Sequence, residues 1–363
     1  MEHSNGRAHD VHAMPPQAIC DLYRHYQKLD NASIDSDVRI VDFQRGLSVE
    51  QQERIVPVDT IASETIVEAE KGFKNTNGDT MDTENGPSPH SCTVYEHKDF
   101  PGLRLLPSLL PPECQLLMLD SIMHRDLSNP LHTINLSQDY TIPYPPAYPP
   151  KERASFFKYP QFNPSGTQIL QPVNPLSMNK PLNIAQFLQK KLRWLTLGDQ
   201  YNWTTRSYPM ESPTPFPSDI AALVTTLFKK AFVPESGVVL LYSPKDYMPV
   251  HRDVSEQCEH KLASFTLGCD GLFIISRDKD SSALNGEEQE MVVIRVRSGD
   301  VVEMGGETRW AWHAMPKVMA NTCPEFMHDW PVRQDQGTPR EYEKWKGYMK
   351  GKRLNISCRQ VWD

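Results

Sequence analysis

The chain has 363 residues, ample for a buried core in two domains or in one large domain with extensions. Its seven cysteines (20, 92, 114, 258, 269, 323 and 358) are odd in number and include no C-x-x-C pair, which argues against a zinc framework or disulfide scaffold and suits reduced thiols. The net charge of −8 belongs to residues 1–100, with 9 Lys and Arg against 18 Asp and Glu; the other 263 residues carry 29 against 28, so acidity does not exclude a nucleic-acid partner.

No apolar leader opens the sequence and no run reaches the length of a membrane span, so a cytoplasmic or nuclear location is expected, with no membrane and no obligate protein partner evident. The first fifteen residues read as unstructured. Ile19, Leu22, Tyr23 and Tyr26 at helical spacing predict a helix over 16–29, with Pro15 and Pro16 suited to its start. From 59 to 91 the composition is acidic, rich in Gly, Asn, Thr and Ser and nearly free of aromatics. Such a segment buries too little apolar surface to order itself, so it reads as a linker.

A strand is expected at 103–106 and a helix at 112–124, with Leu116, Leu117, Leu119, Ile122 and Met123 on its apolar side. Residues 129–175 contain Tyr144-Pro145-Pro146-Ala147-Tyr148-Pro149-Pro150, which favours an extended, polyproline-like loop over a substrate side. A helix is expected at 182–194, with basic residues toward its end as the macrodipole favours. Ser218 is the expected cap of a further helix, whose Ile220, Leu223, Val224, Leu227, Phe228 and Phe232 form a core stripe.

From Gly237 the pattern changes to short apolar strands at 237–243, 249–253, 262–268, 271–276, 291–297, 300–304, 309–315 and 353–361, with turn signals between them. Eight such strands fit a jelly-roll barrel, interrupted at 316–350 by a Pro-containing insertion with a short helix at 340–349. The fold class is therefore α+β.

The chemistry concentrates in this last third. His251 and Asp253 are two positions apart, so in a strand they share a face and can reach one ion together, while His313 can join them from a second strand. Two imidazoles and one carboxylate with the remaining positions open is the ligand set of non-haem Fe(II) oxygenases. Taken alone, an H-x-D pair is weak, because a lone histidine is more often a satisfied core or surface residue. In the run 353–359, alternation puts Arg353, Asn355, Ser357 and Arg359 on one face and Leu354, Ile356 and Cys358 on the other. Two inward guanidinium groups need anions: either a 2-oxo acid's carboxylate held bidentately or buried carboxylates of the protein itself.

Residues 149–206 carry eight basic side chains (Lys151, Arg153, Lys158, Lys180, Lys190, Lys191, Arg193, Arg206) against Glu152 and Asp199, interleaved with Phe156, Phe157, Tyr159 and Trp203. That mixture suits a phosphate backbone with exposed bases. It equally describes a solvated basic face.

Together these residues resemble the AlkB Fe(II)/2-oxoglutarate dioxygenases, most closely a fungal-type member of their homologue-1 branch. The resemblance runs through 192–198, Tyr201-Asn202-Trp203, 214–219, His251 with Asp253, Ser298-Gly299-Asp300-Val301, Gly305 with Arg309, His313, and Arg353-x-Asn355-x-Ser357-x-Arg359-Gln360-Val361. Residues 22–26 and Val41-Asp42-Phe43 extend it toward the start. It implies a double-stranded β-helix (jelly-roll) core with flanking N-terminal helices and Pro-rich loops, holding Fe(II) through His251, Asp253 and His313 at its open end. Dioxygen and 2-oxoglutarate are the implied co-substrates, with Arg353 on the distal carboxylate and Tyr242 as its hydroxyl partner. Arg359 would lie near Asp253 or the other carboxylate, and Asn355 and Ser357 share that inner face.

Trp203, Arg206, Tyr208 and Ser255 are the implied substrate-binding residues; Trp203 either stacks on a flipped base or packs in the core. Two positions depart from the family's usual residues: Leu240 where Asn is common, and Ser255 where an acid is usual. The implied organisation is an N-terminal extension with a short helix and linker over 1–100, a helical and loop region with a nucleotide-recognition segment over 101–236, and the oxygenase core over 237–363. The implied activity is oxidative demethylation of N-methylated bases such as methyladenine in RNA (tRNA or mRNA) or DNA, releasing succinate, carbon dioxide and formaldehyde. A protein demethylase or hydroxylase, for example one acting on a histone, uses the same metal site and stays open as the alternative.

Overall fold

The β-strands around the site are largely buried, except the edge strand Met248–His251, which stays partly exposed. The computed structural model of the protein describes residues 12–77, 90–146, 154–162, 168–202, 204–209, 213–229, 232–277, 290–333 and 338–362. The amino-terminal part contributes β1 (Ile55–Ile61), β2 (Cys92–His97) and β3 (Leu103–Leu106); a small ribbon, β4 (Tyr140–Thr141) with β5 (Gln171–Pro172), and β6 (Trp194–Gly198) follow. Eight further strands complete the fold: β7 (Ser236–Tyr242), β8 (Met248–His251), β9 (Leu262–Gly268), β10 (Gly271–Arg277), β11 (Glu290–Val296), β12 (Val301–Met304), β13 (Trp312–Val318) and β14 (Arg353–Arg359). These eight divide four and four between two facing antiparallel sheets, β12-β9-β14-β7 and β11-β10-β13-β8, which is a jelly roll. The larger sheet is extended by β3, β2 and β1 on one side and by β6 on the other.

Strand β9 shows how the pattern works. Leu262, Ser264 and Thr266 face the cavity between the sheets, while Ala263, Phe265 and Leu267 face the opposite way into the main apolar core. That outer core includes α4 (Ser63–Asn77), α5 (Pro112–Asp120) and α7 (Ser218–Leu227), which follow α1 (Gln17–Lys28), α2 (Asn31–Ser36) and α3 (Val49–Arg54) and flank the short α6 (Ile184–Gln186). On the other side, α1 buries Ile19 and Tyr26 against Leu272, Ile274 and Trp312 of the smaller sheet. The adjacent Val41 bridges to β11, donating to Val293 O at 2.9 Å and accepting from Arg295 N at 2.9 Å. Buried Asp42 locks this docking through Arg297 at 2.7 Å.

All eight barrel strands expected from the alternation are present, with several edges shifted: β8 ends at His251, so Asp253 lies beyond it, and β14 ends at Arg359. Arg309, placed in a strand at 309–315, instead lies in a 3₁₀ turn (Gly306–Trp310), and β13 starts at Trp312. From that turn its guanidinium reaches His260 O, Asp253 O and the Glu256 carboxylate.

Other expectations need correction. The linker expected at 59–91 is in part the end of β1 and the helix α4, because Ile66, Ala69 and Phe73, all buried, line one face and dock on the core. Residues 78–89 of that stretch lie outside the described residues, as do 1–11 and the loop residues 147–153. The helix expected at 182–194 is only α6 and one π turn. Asn183 and Gln186 form a capping box, and Leu192 then turns extended so that Trp194–Gly198 can pair with β7. The helix at 112–124 runs to Asp120 and continues as a π turn to Asp126, and the one at 340–349 is a 3₁₀ segment over Arg340–Trp345. Ser218 is the first residue of α7 and not its cap; Pro217 precedes it, and no side chain bonds the helix start. No helix among the described residues is long and apolar enough to cross a membrane.

The order of α4 is testable. Truncating Phe73, which is fully buried, should lower the unfolding free energy by about 3 to 5 kcal/mol. Denaturant unfolding of Phe73→Ala indistinguishable from the parent would mean that 63–77 does not pack on the core.

Candidate metal centre and co-substrate cavity

Strands β8 and β13 pair so that His313 lies directly across from His251, with ring centroids 4.3 Å apart. Asp253 follows β8 by two residues, and His251 Nε2 lies 3.8 Å from its Oδ1. One donor atom from each of the three residues fits within a 4.8 Å span. Each imidazole is oriented by its own backbone: His251 Nδ1 lies 2.8 Å from Pro249 O, and His313 Nδ1 lies 3.1 Å from Ala311 O. A carbonyl only accepts, so Nδ1 carries the hydrogen in both rings and both Nε2 lone pairs are left for a metal. Arg252, between the two ligand candidates, turns away and lies over the Trp312 ring at 4.4 Å.

The electrostatics favour the ligating forms. Burial, then His251, pushes the His313 pKa down to about 4, so its ring is neutral at physiological pH. Burial works against ionisation of Asp253, but Arg359, then His313 and His251, hold its carboxyl well below the usual carboxylate range.

Behind these three groups lies a buried charge network that no local sequence pattern announces. Glu256, whose side chain is fully buried, takes Arg309 Nη2 at 2.8 Å on one oxygen and Arg359 Nη1 at 2.6 Å on the other. Arg359 Nη2 reaches Asp253 Oδ2 at 3.3 Å and Ser357 Oγ at 3.1 Å, while Arg309 Nη1 donates to the Asp253 carbonyl at 2.9 Å. The Glu256 carboxyl stays ionised because the two arginines, Arg359 first, outweigh its burial. The only signal in the sequence was adjacency: Glu256 stands next to Ser255 in the segment that carries Asp253.

The three donors line a cavity of about 490 Å³. Its other end holds Arg353, 2% exposed, on the first residue of β14. Arg353 Nη2 donates to Thr266 Oγ1 at 2.9 Å, its Nε has no partner, and it forms no ion pair among the described residues. Burial lowers its pKa to about 10. An isolated buried guanidinium is costly unless an anion joins it, so this end of the cavity is built for a carboxylate. Gly271 makes room for it, since a Cβ there would lie 3.0 Å from Arg353 Nε and 2.6 Å from Met315 Sδ. Tyr242 lines the same cavity, with its ring centroid 5.5 Å from the guanidinium.

Asn355 also lines the cavity, but its amide is committed to Ser264 Oγ at 2.8 Å and Phe265 O at 2.9 Å. Leu240 sits across from Asn355 in the ladder, so the position where the family often has Asn leaves no orphaned polar group here.

Of the expected substrate residues, Arg206 and Ser255 line the cavity mouth, and Ser255 Oγ lies 3.3 Å from the Tyr201 hydroxyl. Tyr208 does not line it: the side chain is buried behind Tyr201, ring centroids 5.3 Å apart. Trp203 lies outside the described residues.

Residues 144–359 match the 2OG-Fe(II) oxygenase superfamily. The chain is 35% identical to the N6-methyladenosine RNA demethylase ALKB1 of Pyricularia oryzae over 97% of both chains. The chain belongs to the 2OG-Fe(II) oxygenase superfamily, and within it to the AlkB family. It is also 42% identical to the N6-methyladenosine RNA demethylase ALKBH of Cryphonectria parasitica, over 62% of this chain and 98% of that one. With the tRNA demethylase abh1 of Schizosaccharomyces pombe it shares 32% identity, over 74% and 82%. Iron(II) and 2-oxoglutarate follow from this membership. The oxygenase's own residues fit both: paired Nε2 donors with a carboxylate for the metal, and an unpaired buried guanidinium for the acid.

The network makes a specific demand on this oxygenase. Glu256→Gln keeps the shape but removes the charge that holds both arginines, and should weaken binding of Co(II), as a spectroscopic stand-in for Fe(II), by about 10- to 100-fold. Glu256→Ala should also lower stability by about 3 to 5 kcal/mol, because two buried cations lose their partner. Unaltered Co(II) affinity in Glu256→Gln would remove Glu256 from metal positioning.

Proposed function

We propose that the protein oxidatively demethylates N-methylated bases in nucleic acid, with RNA, tRNA or mRNA, ahead of DNA as substrate. The reading rests on one observation above all: a two-histidine, one-aspartate cluster at the mouth of a cavity whose far end holds an unpaired buried arginine. The relatives' activities on N6-methyladenosine RNA and on tRNA support the substrate class. A cytoplasmic or nuclear location suits that substrate and seven cysteines that form no disulfide.

In this proposal His251, Asp253 and His313 hold Fe(II), Arg353 and Tyr242 hold the distal carboxylate of 2-oxoglutarate, and Thr266 orients the arginine. Bound iron supplies the oxidising chemistry: dioxygen and 2-oxoglutarate are consumed as the N-methyl carbon is hydroxylated, and succinate, carbon dioxide and formaldehyde leave. Arg359 keeps the Asp253 carboxylate ionised and turned inward. Asn355 and Ser357 keep the inner face polar and ordered. Met248, Phe273 and Met315 belong to the apolar part of the cavity lining, which limits water near the reacting centre. Tyr201, Ser255 and Arg206 at the mouth face the incoming nucleotide.

Replacing His251, Asp253 or His313 by Ala should abolish turnover, read as formaldehyde release; a variant that still releases it would take that residue out of the metal site. Arg353→Lys should raise the 2-oxoglutarate requirement about tenfold or more, since an ammonium lacks the planar fork. The substrate class is checked by mass spectrometry of nucleosides after incubating the Fe(II)- and 2-oxoglutarate-loaded enzyme with methylated tRNA, mRNA and DNA. Loss of methyl groups from a histone peptide but from no nucleic acid would replace this reading with protein demethylation.

A further inference from the structure

We propose a second nucleic-acid contact on this protein, a phosphate-binding surface at the end of the barrel remote from the metal cluster, where residues 187–193 meet residues 340–352. It deepens the demethylase reading and depends on it. The two segments are joined by Tyr348 Oη, which donates to Leu188 O at 2.8 Å, and by Lys352 Nζ, which donates to Gln189 O at 3.2 Å and Ser243 Oγ at 3.3 Å. Between them lies a depression of about 260 Å³ lined by Gln189, Ser243, Lys344, Trp345, Lys346 and Lys352.

Its charge is the first argument. The two segments with their neighbours Asp246 and Asp329 carry eight basic and four acidic side chains, in a chain whose net charge is −8. Lys346 is paired with Asp329 at 3.0 Å and Arg193 with Asp246. Lys190, Lys191, Lys344, Lys350 and Lys352 have no ion pair among the described residues, and all but Lys352 are exposed. These lysines come from two segments about 150 residues apart that the fold brings into contact, and a polyanion suits the positive face they make.

The second argument comes from the floor of the depression. Lys352 is largely buried beside the Tyr348 ring, 5.0 Å from its centroid, with only two long bonds to neutral acceptors. Burial lowers its pKa to about 8, so an approaching phosphate would stabilise the charged form. The Ser243 hydroxyl accepts from Lys352 and keeps its own hydrogen to donate to a phosphate oxygen. Trp345, also on the lining, has an indole N–H without a partner.

Position decides the size of the ligand. Lys352 adjoins Arg353 at one end of β14, and Arg359 beside Asp253 ends it, six residues or roughly 20 Å away. That is about six phosphates along a strand. About six nucleotides of strand beyond the base held at the mouth are therefore needed to reach this surface, which a tRNA supplies and a pentanucleotide methylated at its central base, with two nucleotides on either side, does not.

The test uses the full-length chain, Lys344→Glu with Lys350→Glu, and separately Lys352→Met, against a methylated tRNA and a methylated pentanucleotide. Succinate formation without nucleic acid and the thermal midpoint serve as fold controls. We expect Kd for the tRNA to rise about tenfold or more in the double variant at low salt, and the slope of log K against log salt to become shallower by about 2, because two phosphates are no longer neutralised. Pentanucleotide demethylation should stay unchanged, and Lys352→Met should shift tRNA affinity in the same direction. Unchanged tRNA affinity and salt slope, with the parent active on both substrates, would overturn the surface alone. A parent that binds and demethylates neither would overturn the demethylase reading and this proposal with it. Loss of binding to phosphatidylserine vesicles with tRNA affinity unchanged would also overturn it, in favour of a membrane surface.

Discussion

The carboxylate of Glu256, held between Arg309 and Arg359, is the constraint on which the arrangement of the site depends. It joins three segments that are far apart in sequence: the strand end that carries Asp253, the turn before β13 that carries His313, and the last strand. Two arginines bound to one buried carboxylate leave few alternative geometries, because any rotation strands a cation in a poorly solvated place. Replacing such a network wholesale with apolar groups can be neutral for stability, so its value here lies in positioning. Both faces of Asp253 are fixed by it, the carbonyl by Arg309 and the carboxylate by Arg359.

The same economy of placement appears along the cavity. One strand, β14, carries Arg359 at the metal end and Arg353 at the other, with Asn355 and Ser357 between them on the same face. The intervening Leu354, Ile356 and Cys358 face the helical side and are fully buried. A period of two thus serves packing and chemistry at once: the outer residues anchor the strand and the inner ones are left to line a polar channel. The amino-terminal segment contributes from the other side, where α1 and the bridge at Val41 cover the smaller sheet that carries both histidines.

Charge is distributed by structure in a way that bulk composition hides. The amino-terminal hundred residues are acidic, yet part of that acidity is consumed internally, as with Asp42 and Asp35 on Arg297 and Arg295. Five lysines without an ion pair among the described residues lie at the junction of 187–193 with 340–352, at the end of the barrel away from the metal cluster. A protein with a net negative charge can in this way still present a positive face to a polyanion.

The sequence by itself determined the eight barrel strands, the core stripe of α7 and the four inward residues of β14, because each is a local periodicity that one buried face enforces. It also held the ligand set, since His251 and Asp253 are two positions apart along the chain, although β8 ends at His251 and Asp253 reaches the site from the segment beyond it. What only the tertiary structure decided depends on contacts between distant residues. The register that sets His313 across from His251, the Arg309 turn, and the pairing of Glu256 with residues 53 and 103 positions away leave no trace in local spacing. Helix α4 reads as linker because its composition is polar; its Ile66, Ala69 and Phe73 are held by a core they share with α5 and α7. Likewise 194–198 is a strand only because β7 offers an edge to pair with. Local propensity reports what a segment prefers alone, and these segments take their structure from partners that the fold brings to them.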